Sequence, residues 1–507
     1  MIEISVQQLC HAVQGVLKIG YQTLAQCGTK TINNVSTDTR TIQKNDLFIA
    51  LKGPTFDAHD LLQAAIDKGA AVLLVEESSD IDVANDNIVI EVADTRIALG
   101  LLAKYVRLQI SGLKCAAITG SNGKTTCKEL LSAILAVHAG TADKVLATSG
   151  NFNNDIGLPL TLLRLQHQHQ FSVLELGANH IGEIAYTSAL AIPHVALVNN
   201  VMPAHLEGFG SLEGVARAKS EIWSNLAPSG IAVVNLDAKF AEQFIAKLQK
   251  DKLQYICFSR TQQANSQDAG SLLQADLFAS DISCDTAGLA SFTLNVNQVN
   301  PLDKALLSLN ADDKAVQQVK IKLTIPGLHN VSNALAVCSM ALVLGCSLED
   351  VQQGLTTVEQ VKGRLNATEI NEHLTVIDDT YNANSASVRA GIDLLTQYPH
   401  KTILVCGDMG ELGDYAEQEH RTIGEYAQQN HIDELFTVGS LSEFVTNAYN
   451  ALSKNRRAKH FSDKEQLKFA INSYLDSTKS KVVVLVKGSR STRMEEIVAF
   501  IKEKYNV

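Results

Sequence analysis

The apolar and polar positions of the chain first form a small strand–helix–strand pattern. Apolar runs at Asp46–Leu51 and Ala70–Val75 have the length of buried strands, and His59–Lys68 between them repeats its apolar residues with a helical period. Asp80–Asn87 is polar and poor in strand-forming residues, which is typical of a linker. Helical spacing returns at Thr95–Leu108. The pattern predicts a small α/β domain at the start of the chain.

A longer alternation of strands and helices follows. Its apolar runs are short and continuous, as expected of parallel strands that are covered on both faces. The predicted strands are Leu113–Thr119, Phe171–Leu176, His194–Asn199 and Ile231–Asn235, and Thr125–Val137 has the pattern of an amphipathic helix. Gln262–Asp313 is polar and irregular apart from strand-like pieces such as Ala290–Val296, and we interpret Asn300–Val316 as a surface insertion.

The turn signal Ile325-Pro326-Gly327 separates this alternation from another one. The later elements are predicted helices at Val331–Leu344 and Ala386–Leu395 and strands at Thr375–Asp379, Thr402–Cys406, Glu434–Val438 and Val482–Val486. We therefore predict an α/β protein of three domains. These are a small N-terminal α/β domain (1–92), a central P-loop-type domain with a mostly parallel sheet (93–325) and a C-terminal Rossmann-like domain (326–507).

Composition narrows the class of protein. Of the 507 residues, 46% are hydrophobic and 19% are charged, which is typical of globular chains rather than disordered ones. The formal net charge of −11 argues against a nucleic-acid partner, because phosphate backbones select basic surfaces. No apolar run reaches the ~20 residues of a membrane span. The nine cysteines form no C-x-x-C pair, and with no secretory signal we expect a cytoplasmic protein, by default a monomer.

The strongest chemical signal lies between the first strand and the first helix of the central alternation. Its sequence is Gly120-Ser121-Asn122-Gly123-Lys124-Thr125-Thr126. Glycines let backbone N–H groups surround phosphate oxygens, and a helix N-terminus adds partial positive charge. In such a loop Lys124 reaches the terminal phosphates and Thr125 binds Mg²⁺. Ile118 stands where the full motif has its first glycine, but the strand–loop–helix context predicts an ATP and Mg²⁺ site.

Two further candidates follow the next predicted strands. Glu175 closes one apolar strand, and His205 with Glu207 follows another. Ligands bind beyond the carboxyl ends of parallel strands, and carboxylate and imidazole groups suit a metal beside phosphates. The residues alone leave two other interpretations open. Glu175 can form an ordinary salt bridge, and His205 can be a surface-loop histidine.

These residues resemble the Mur ligases, which build the peptide stem of bacterial cell wall. The resemblance spans essentially the whole chain and rests on the phosphate loop, Glu175, His205, Ala216-Arg217-Ala218-Lys219-Ser220-Glu221-Ile222-Trp223, Pro326–Leu335 and Lys362-Gly363-Arg364. Four stretches resemble the branch that adds a dipeptide: Gly150–Gly157, Asp378-Asp379-Thr380-Tyr381-Asn382-Ala383-Asn384, Gly407–Gly413 and Val486–Ser491. One departure is Ser385, where the family usually has proline.

The resemblance implies an ATP-dependent ligase with an acyl-phosphate intermediate. Its substrates would be UDP-N-acetylmuramoyl-tripeptide, whose free carboxylate ATP phosphorylates, and D-alanyl-D-alanine, whose amine then attacks. By similarity, Thr125 and Glu175 hold one Mg²⁺ and His205 helps to hold a second. Lys219 resembles the family's carbamylated lysine, whose carboxylate orients the second metal. Without the resemblance, the sequence would indicate that Lys219 is a solvated lysine on a helix. Lys124, Glu175, His205 and Lys219 are thus the expected catalytic residues.

The resemblance also implies binding residues in all three domains. Those expected to contact ATP, besides the phosphate loop, are Asn330, Arg364, Asp379 and Tyr381. Those expected to contact substrate are Ser36, Thr39, Arg40 and Lys52 for the uridine-diphosphate sugar, Asn151 and Asn154 for the peptide, and Lys487, Ser489 and Arg490 for the dipeptide carboxylate. From the residues alone, the uridine-diphosphate set is also typical of a capped turn before an edge strand. The set for the dipeptide carboxylate is also typical of a solvated turn.

Two alternatives remain at this point. One is a Mur ligase that adds the third stem residue, although no clear Asp-Asn-Pro-Arg-type motif for a free diamino acid is present. The other is a nucleotide-regulated binding module without ligase chemistry, which explains the phosphate loop but not Glu175, His205 and Lys219 together. The sequence leaves open whether the third stem residue is diaminopimelate or lysine.

Overall fold

The computed structural model describes residues 1–18, 23–77, 87–203, 206–265, 272–285, 288–297, 317–359, 363–453 and 458–505. His205, most of the predicted linker Asp80–Asn87 and the whole predicted insertion Asn300–Val316 lie outside these ranges. Within them, no helix is long and apolar enough to cross a membrane.

The N-terminal unit is a small sheet with helices around it. Its strands are β1 (Ile4–Ser5), β2 (Val16–Leu17), β3 (Thr31–Ile32), β4 (Val35–Ser36), β5 (Leu47–Ile49), β6 (Val72–Glu76) and β7 (Ile88–Val92). Its helices are α1 (Val6–Val13), α2 (Leu24–Cys27), α3 (Leu62–Asp67) and α4 (Thr95–Gln109), with a 3-10 turn at Ala58–Leu61. The described strands pair in the order β2-β7-β6-β5-β4, parallel except for β2 with β7. Because β6 and β7 are neighbours, the predicted linker connects two strands of one sheet.

The central unit contains the longest sheet in the described residues. Its strands are β8 (Lys114–Thr119), β9 (Val145–Ala147), β10 (Phe171–Glu175), β11 (Val195–Val198), β12 (Ile231–Asn235), β13 (Gln254–Ser259), β14 (Gln263–Asn265), β15 (Leu272–Gln274), β16 (Leu277–Cys284), β17 (Leu289–Val296) and β18 (Gln317–Pro326). Its helices are α5 (Lys124–Ala139), α6 (Gly157–Leu162), α7 (Glu183–Ala191), α8 (Leu206–Phe209), α9 (Leu212–Ser220) and α10 (Ala241–Lys250), with 3-10 turns at Ala142–Lys144 and Glu221–Asn225. The order is β18-β17-β16-β13-β12-β11-β8-β10-β9, in which β16 with β17 and β17 with β18 pair antiparallel and the other neighbours pair parallel. Strands β14 and β15 form a separate antiparallel hairpin.

Two further helices cover this sheet. They are α11 (His329–Val343) and α12 (Leu348–Thr356), and both pack in one hydrophobic core with the central strands. The boundary predicted at 325/326 assigns them to the C-terminal domain instead. Buried residues lie on every side of α11, which explains why its sequence is apolar all round. We propose that the third unit begins after residue 359.

The third unit is a second parallel sheet. Its strands are β19 (Asn366–Asn371), β20 (Leu374–Asp379), β21 (Lys401–Gly407), β22 (Glu434–Val438), β23 (Lys459–Phe461) and β24 (Val482–Lys487). Its helices are α13 (Ser385–Leu395), α14 (Ala416–Gln429), α15 (Glu443–Leu452), α16 (Lys464–Ser477) and α17 (Glu495–Tyr505), with 3-10 turns at Gly413–Tyr415 and Arg490–Thr492. The order within the described residues is β19-β20-β24-β21-β22-β23, antiparallel only between β19 and β20.

Strand register brings the functional ends of the central sheet together. β8 lies between β10 and β11, with Glu175 opposite Ile118 and Val198 opposite Thr119. The chain turns to one side of β8 and later crosses to the other, so the phosphate loop opens into the crevice at this switch point. The α/β fold class with mostly parallel sheets, predicted from the sequence, is confirmed.

Candidate active site

The phosphate loop joins β8 directly to α5. Gly123 precedes the helix with a φ of +78°, a left-handed conformation that side chains strain. A β-carbon there would meet Asn199 Nδ2 and Asn333 Oδ1 at 2.6 Å each. The loop therefore requires glycine for its backbone and for the close approach of two amides. Lys124 folds back within it and donates from Nζ to Gly120 O at 2.7 Å.

A buried carboxylate lies next to the loop. Thr125 Oγ1 donates to Glu175 Oε2 at 3.2 Å, and Glu175 is only 2% exposed. Burial raises the pKa of Glu175, although Lys124, Lys128 and Arg364 oppose this shift. Its second oxygen, Oε1, is buried and has no hydrogen-bond partner among the described residues. A buried carboxylate oxygen without a donor is costly, so this group is suited to a cation that binds with the nucleotide.

Arg364 crosses from the third unit to the same point. Its Nη2 donates to Thr125 Oγ1 at 2.9 Å, and its guanidinium lies 4.4 Å from the centre of the Tyr381 ring. The stacking on Tyr381 holds the planar guanidinium over the phosphate loop. One predicted nucleotide contact, Arg364, therefore meets the phosphate loop directly, and a second, Tyr381, stacks on Arg364.

A pair of amides joins the phosphate loop to the third unit as well. Asn122 Nδ2 donates to Asn384 Oδ1 at 3.2 Å, and Asn384 Nδ2 donates to Asn122 Oδ1 at 2.6 Å. Asn384 also caps α13, because its Oδ1 accepts from Ser387 N at 3.0 Å. Asn384 was not among the residues predicted to bind a ligand. Nothing in the local sequence around Asn384 indicates a partner 262 positions away.

Asn330 belongs to a chain of buried amides beneath the loop. Its Nδ2 donates to Pro326 O at 2.7 Å and its Oδ1 accepts from Asn333 Nδ2 at 2.8 Å. Asn333 Oδ1 in turn accepts from Asn199 Nδ2 at 2.9 Å, and Asn199 reaches Asn122 O at 3.1 Å. The network ties the start of α11 to the phosphate loop. A ligand that Asn330 binds would therefore be held in a fixed position relative to that loop.

Lys219 is buried in the wall of a large cleft between the central and third units. It lies on α9 and is 2% exposed, and within the described chain no carboxylate is within ion-pair distance of it. Burial, with a smaller contribution from Lys124, lowers the pKa of Lys219 well below its ordinary value. Burial of this kind disfavours the charged form of an amine. His205, its predicted partner at a second metal, is outside the described residues.

Asp379 and Lys487 pair with each other. Lys487 Nζ lies 2.5 Å from Asp379 Oδ2 and donates to Asn382 O at 2.9 Å, and Lys487 is 2% exposed. Burial raises the pKa of Asp379, whereas Lys487 lowers it. The resemblance predicts that Asp379 contacts the nucleotide and Lys487 the dipeptide. In the structure their charges already compensate one another.

The neighbouring loop keeps Arg490 more accessible. Arg490 Nη1 lies 3.0 Å from Glu495 Oε1, and 67% of its side chain is exposed. Ser489 is buried, and its Oγ lies 3.1 Å from Ser491 Oγ. Of the three residues predicted for the dipeptide carboxylate, Arg490 therefore has the most freedom to reach a ligand.

The predicted uridine-diphosphate residues lie apart from this cleft. Ser36 Oγ donates to Asp38 O at 2.8 Å, which fixes the turn. Arg40 forms a forked ion pair with Asp38 at 2.7 Å and lowers the pKa of Asp38 to about 2. Lys52 pairs with Asp57 at 3.4 Å. Thr39 is half-buried in the same turn, and both cations are mostly exposed.

One large cleft collects most of the other predicted residues. Its volume is about 1850 Å³, and it lies between the central and third units. Predicted residues that line it are Ser121, Asn122, Gly123, Lys124, Thr125, Thr126, Asn151, Asn154, Glu175, Lys219, Asn330, Arg364, Asp379, Tyr381, Lys487, Ser489 and Arg490. Lining residues that the sequence analysis missed include Asn333, Glu411 and Glu495. Ser36, Thr39, Arg40 and Lys52 do not line this cleft of the described chain.

The donors at the loop fit Mg²⁺ that enters with a nucleotide. No group of three or more histidine, cysteine or acidic side chains converges on one point in the described ranges. Mg²⁺ at nucleotide sites takes few protein ligands, because phosphates and water supply the others. Thr125 Oγ1 and the unpartnered Glu175 Oε1 are hard oxygen donors of the required kind.

Comparison with known proteins gives matches along the chain. Family models described as "Mur ligase family, catalytic domain", "Mur ligase middle domain" and "Mur ligase, glutamate ligase domain" match residues 31–107, 118–341 and 363–490. The UDP-N-acetylmuramoyl-tripeptide–D-alanyl-D-alanine ligase of Haemophilus influenzae is 40% identical over 99% of both chains. The crystal structure of MurF from Acinetobacter baumannii is 36% identical with a TM-score of 0.85, over 99% of both chains. That of MurF ligase from Thermotoga maritima in complex with ADP is 25% identical with a TM-score of 0.75, over 93% of this chain and 98% of that one.

Proposed function

The chain belongs to the Mur ligase family, and from this premise we propose that it joins D-alanyl-D-alanine to UDP-N-acetylmuramoyl-tripeptide at the expense of ATP. The observation that carries the proposal is full-length similarity to ligases of that name, combined with a phosphate loop whose Thr125 meets a buried carboxylate. A nucleotide-regulated module without ligase chemistry would explain the phosphate loop but not the full-length similarity to ligases. A UDP-linked substrate and ATP are consistent with the expected cytoplasmic location.

The first chemical task is to bring two anions together. A carboxylate oxygen of the tripeptide attacks the γ-phosphorus of ATP, and ADP leaves. Lys124 and Arg364 supply fixed positive charge beside the loop, which reduces repulsion between the carboxylate and the phosphates. Thr125 and Glu175 would hold Mg²⁺, which supplies further neutralisation of the phosphate charge when it is bound. The MurF structure with ADP supports nucleotide binding to this fold.

The second task is attack by the dipeptide amine. The amine nitrogen bonds to the carbonyl carbon of the acyl phosphate, inorganic phosphate leaves, and the nitrogen loses its proton. An acyl phosphate hydrolyses in water. The contacts between the third unit and the phosphate loop are therefore needed to keep water out of the site. Arg364 on Thr125 and Asn384 on Asn122 support a closed arrangement of this kind.

Lys219 is proposed to be carbamylated. Carbon dioxide adds to a neutral amine and gives a carboxylate on a long arm. The buried setting of Lys219 without a carboxylate partner in the described chain supports this, because carbamylation converts an uncompensated cation into an anion. Together with His205, this carboxylate would hold a second Mg²⁺.

The remaining predicted residues are proposed to bind the ends of the substrates. Arg40 and Lys52, with Ser36 and Thr39, would bind the uridine-diphosphate sugar, because two cations suit a diphosphate. Asn151 and Asn154 would contact the peptide where it enters the cleft, and Arg490 with Ser489 would bind the dipeptide carboxylate. Asn330 and Tyr381 would contact the adenosine part of ATP.

The test is phosphate release with the three substrates in all combinations. We expect release only when ATP, UDP-N-acetylmuramoyl-tripeptide and D-alanyl-D-alanine are present together. The alternative ligase, which adds the third stem residue, is tested by replacing D-alanyl-D-alanine with a free diamino acid. The acceptor is then the UDP-linked precursor that carries only two stem residues, and we expect no phosphate release. ATP turnover that neither the tripeptide nor the dipeptide affects would contradict the proposal.

A further inference from the structure

The start of α13 lies against the phosphate loop. Asn384 is the N-cap residue of this helix, and its amide forms the reciprocal pair with the Asn122 amide. The backbone of Asn122 is held by the central unit, because its N–H donates to Asn200 Oδ1 at 2.9 Å and its carbonyl oxygen accepts from Asn199 and Asn200. The Asn122 side chain, by contrast, is held from the third unit through Asn384.

The first residue of α13, Ser385, controls how Asn384 enters the helix. Proline is favoured at a first helical position, because its ring fixes φ near the helical value and its missing N–H has no intrahelical partner in any case. Asn384 has a φ of −143° and a ψ of 167°, an extended conformation that also suits a residue before proline. This chain has serine at the position, so its backbone lacks the covalent restraint of a ring.

A hydrogen bond to the next helix supplies a restraint instead. Ser385 Oγ donates to Glu419 Oε2 of α14, and it lies 3.9 Å from Met409 Sδ. Ser385 is 5% exposed, and α13 and α14 pack in one hydrophobic core. A buried hydroxyl that loses its acceptor is left unsatisfied, so this bond favours one position of the helix start.

Glu419 is itself held on a fixed support. The next residue, His420, is fully buried; its Nε2 accepts from Met409 N–H at 3.0 Å and its Nδ1 lies 2.7 Å from Ala416 O. Thr422 Oγ1 donates to Glu419 O at 2.8 Å. The first turns of α14 are therefore anchored to the loop after β21, and from this anchor Glu419 reaches the start of α13.

We propose that Ser385 and Glu419 are positioning residues of the nucleotide site, whose hydrogen bond replaces the restraint of a proline ring and holds Asn384 against the phosphate loop. Neither residue lines the cleft of the described chain, so both act through Asn384 rather than on a ligand. The inference rests on the nucleotide site of the proposed function, and it is independent of which amino acid or peptide the ligase adds.

The test measures the affinity of the full chain for a non-hydrolysable ATP analogue with Mg²⁺ by calorimetry, together with the melting temperature. Ser385→Ala and Glu419→Ala should each weaken binding about threefold to tenfold, the range expected for one lost hydrogen bond. The double variant should bind no more weakly than either single variant, because both changes break the same bond. Glu419→Gln keeps an acceptor oxygen for Ser385 and should stay within about twofold of wild type.

A proline variant separates positioning from simple stabilisation. Ser385→Pro removes the hydroxyl but fixes φ by its ring, so we expect wild-type affinity, and adding Glu419→Ala to it should change nothing. In an Asn384→Ala background, Ser385→Ala should have no further effect on affinity, since the bond acts through Asn384. Glu417→Ala, which removes an exposed glutamate of the same helix paired with Arg421 at 2.8 Å, is the matched control and should bind the analogue like wild type.

Two outcomes would overturn the inference alone. One is unchanged affinity in Ser385→Ala and Glu419→Ala, with or without a lower melting temperature, which would make the bond purely structural. The other is an equal loss of affinity in Ser385→Pro and Ser385→Ala, which would show that the hydroxyl itself, not the position of Asn384, is what matters. A wild-type chain that binds the analogue but releases no phosphate with the three substrates would contradict the proposed function alone. A wild-type chain that does not bind the analogue would overturn both.

Discussion

The cleft at the phosphate loop and the turn at Arg40 differ in how their charges are satisfied. In the cleft, Glu175 is buried with an oxygen that has no hydrogen-bond partner among the described residues, and Lys219 is buried without a carboxylate partner in those ranges. At the N-terminal turn, Arg40 is mostly exposed and already holds Asp38. Both sets were predicted as site residues from the same resemblance.

The difference shows where physical chemistry adds to resemblance. A buried, uncompensated charge destabilises the free protein and is explained by a ligand that compensates it. An exposed ion pair contributes little to stability and has an ordinary structural explanation. The cleft therefore supports its assignment independently, whereas the N-terminal assignment depends on similarity to known ligases.

The largest effect is expected when the buried carboxylate of the cleft, Glu175, is replaced. Glu175→Gln keeps the shape of the side chain but removes the negative charge that would hold Mg²⁺. We expect the rate of phosphate release to fall about a thousandfold, as for loss of several kcal/mol of charge stabilisation. Glu129→Gln, a partly exposed glutamate on the same cleft wall, should stay within about threefold. A Glu175→Gln enzyme within tenfold of wild type would remove the basis for the metal site.

The second effect concerns the buried lysine. Lys219→Ala should lower the rate about a hundredfold, because the orienting carboxylate is lost, and formate or acetate should restore part of it. The wild-type chain in ¹³C-bicarbonate should show a carbamate carbon resonance that the variant lacks. Lys247→Ala, which removes an exposed lysine paired with Asp251, should match wild type in both measurements. Full activity of Lys219→Ala would contradict the carbamate.

The third effect tests the contact between the two units. Asn122→Ala and Asn384→Ala should each raise the KM for ATP about threefold to tenfold, since each breaks the amide pair that holds the phosphate loop. The double variant should lose little more than either single variant, with a coupling of about 1 kcal/mol. Strict additivity would mean that the pair does not act as one contact during turnover.

The smallest effect is expected at the N-terminal turn. Arg40→Ala should raise the KM for the UDP-linked tripeptide about threefold to tenfold, because one charged contact to a diphosphate is lost. The KM for ATP and the melting temperature should be unchanged, since the Arg40 side chain is mostly exposed and such ion pairs contribute little to stability. If the melting temperature falls while the tripeptide KM stays constant, Arg40 has only a structural role.

Local sequence patterns were sufficient for the elements that build the cleft. The apolar run before Gly120 and the amphipathic run after Thr125 predicted β8 and α5, and Glu175 was correctly placed at the end of a neighbouring strand. Parallel strands bring their carboxyl ends to one edge, so Thr125 and Glu175 were expected at that edge. Their direct contact depends on β8 and β10 being neighbours, which only the structure shows.

Pairings across distant strands could not be predicted in this way. Asp379 and Lys487 meet because β20 and β24 are neighbours in parallel register, with these residues directly opposite. The order of strands in a sheet is a tertiary property, and 107 residues of chain separate the two. The same limit applies to α11, whose sequence reveals a buried helix but not which sheet covers it. Local sequence patterns therefore indicated which residues would lie near the cleft better than which partners they would meet.

The transfer of oxygen from the acceptor carboxylate tests the central claim most directly. UDP-N-acetylmuramoyl-tripeptide labelled with ¹⁸O in its free carboxylate is incubated with the protein, ATP and D-alanyl-D-alanine, and the phosphate is analysed by mass. Formation and breakdown of an acyl phosphate predict one ¹⁸O in each phosphate released and one retained in the new amide. Phosphate without ¹⁸O would contradict an acyl-phosphate ligase.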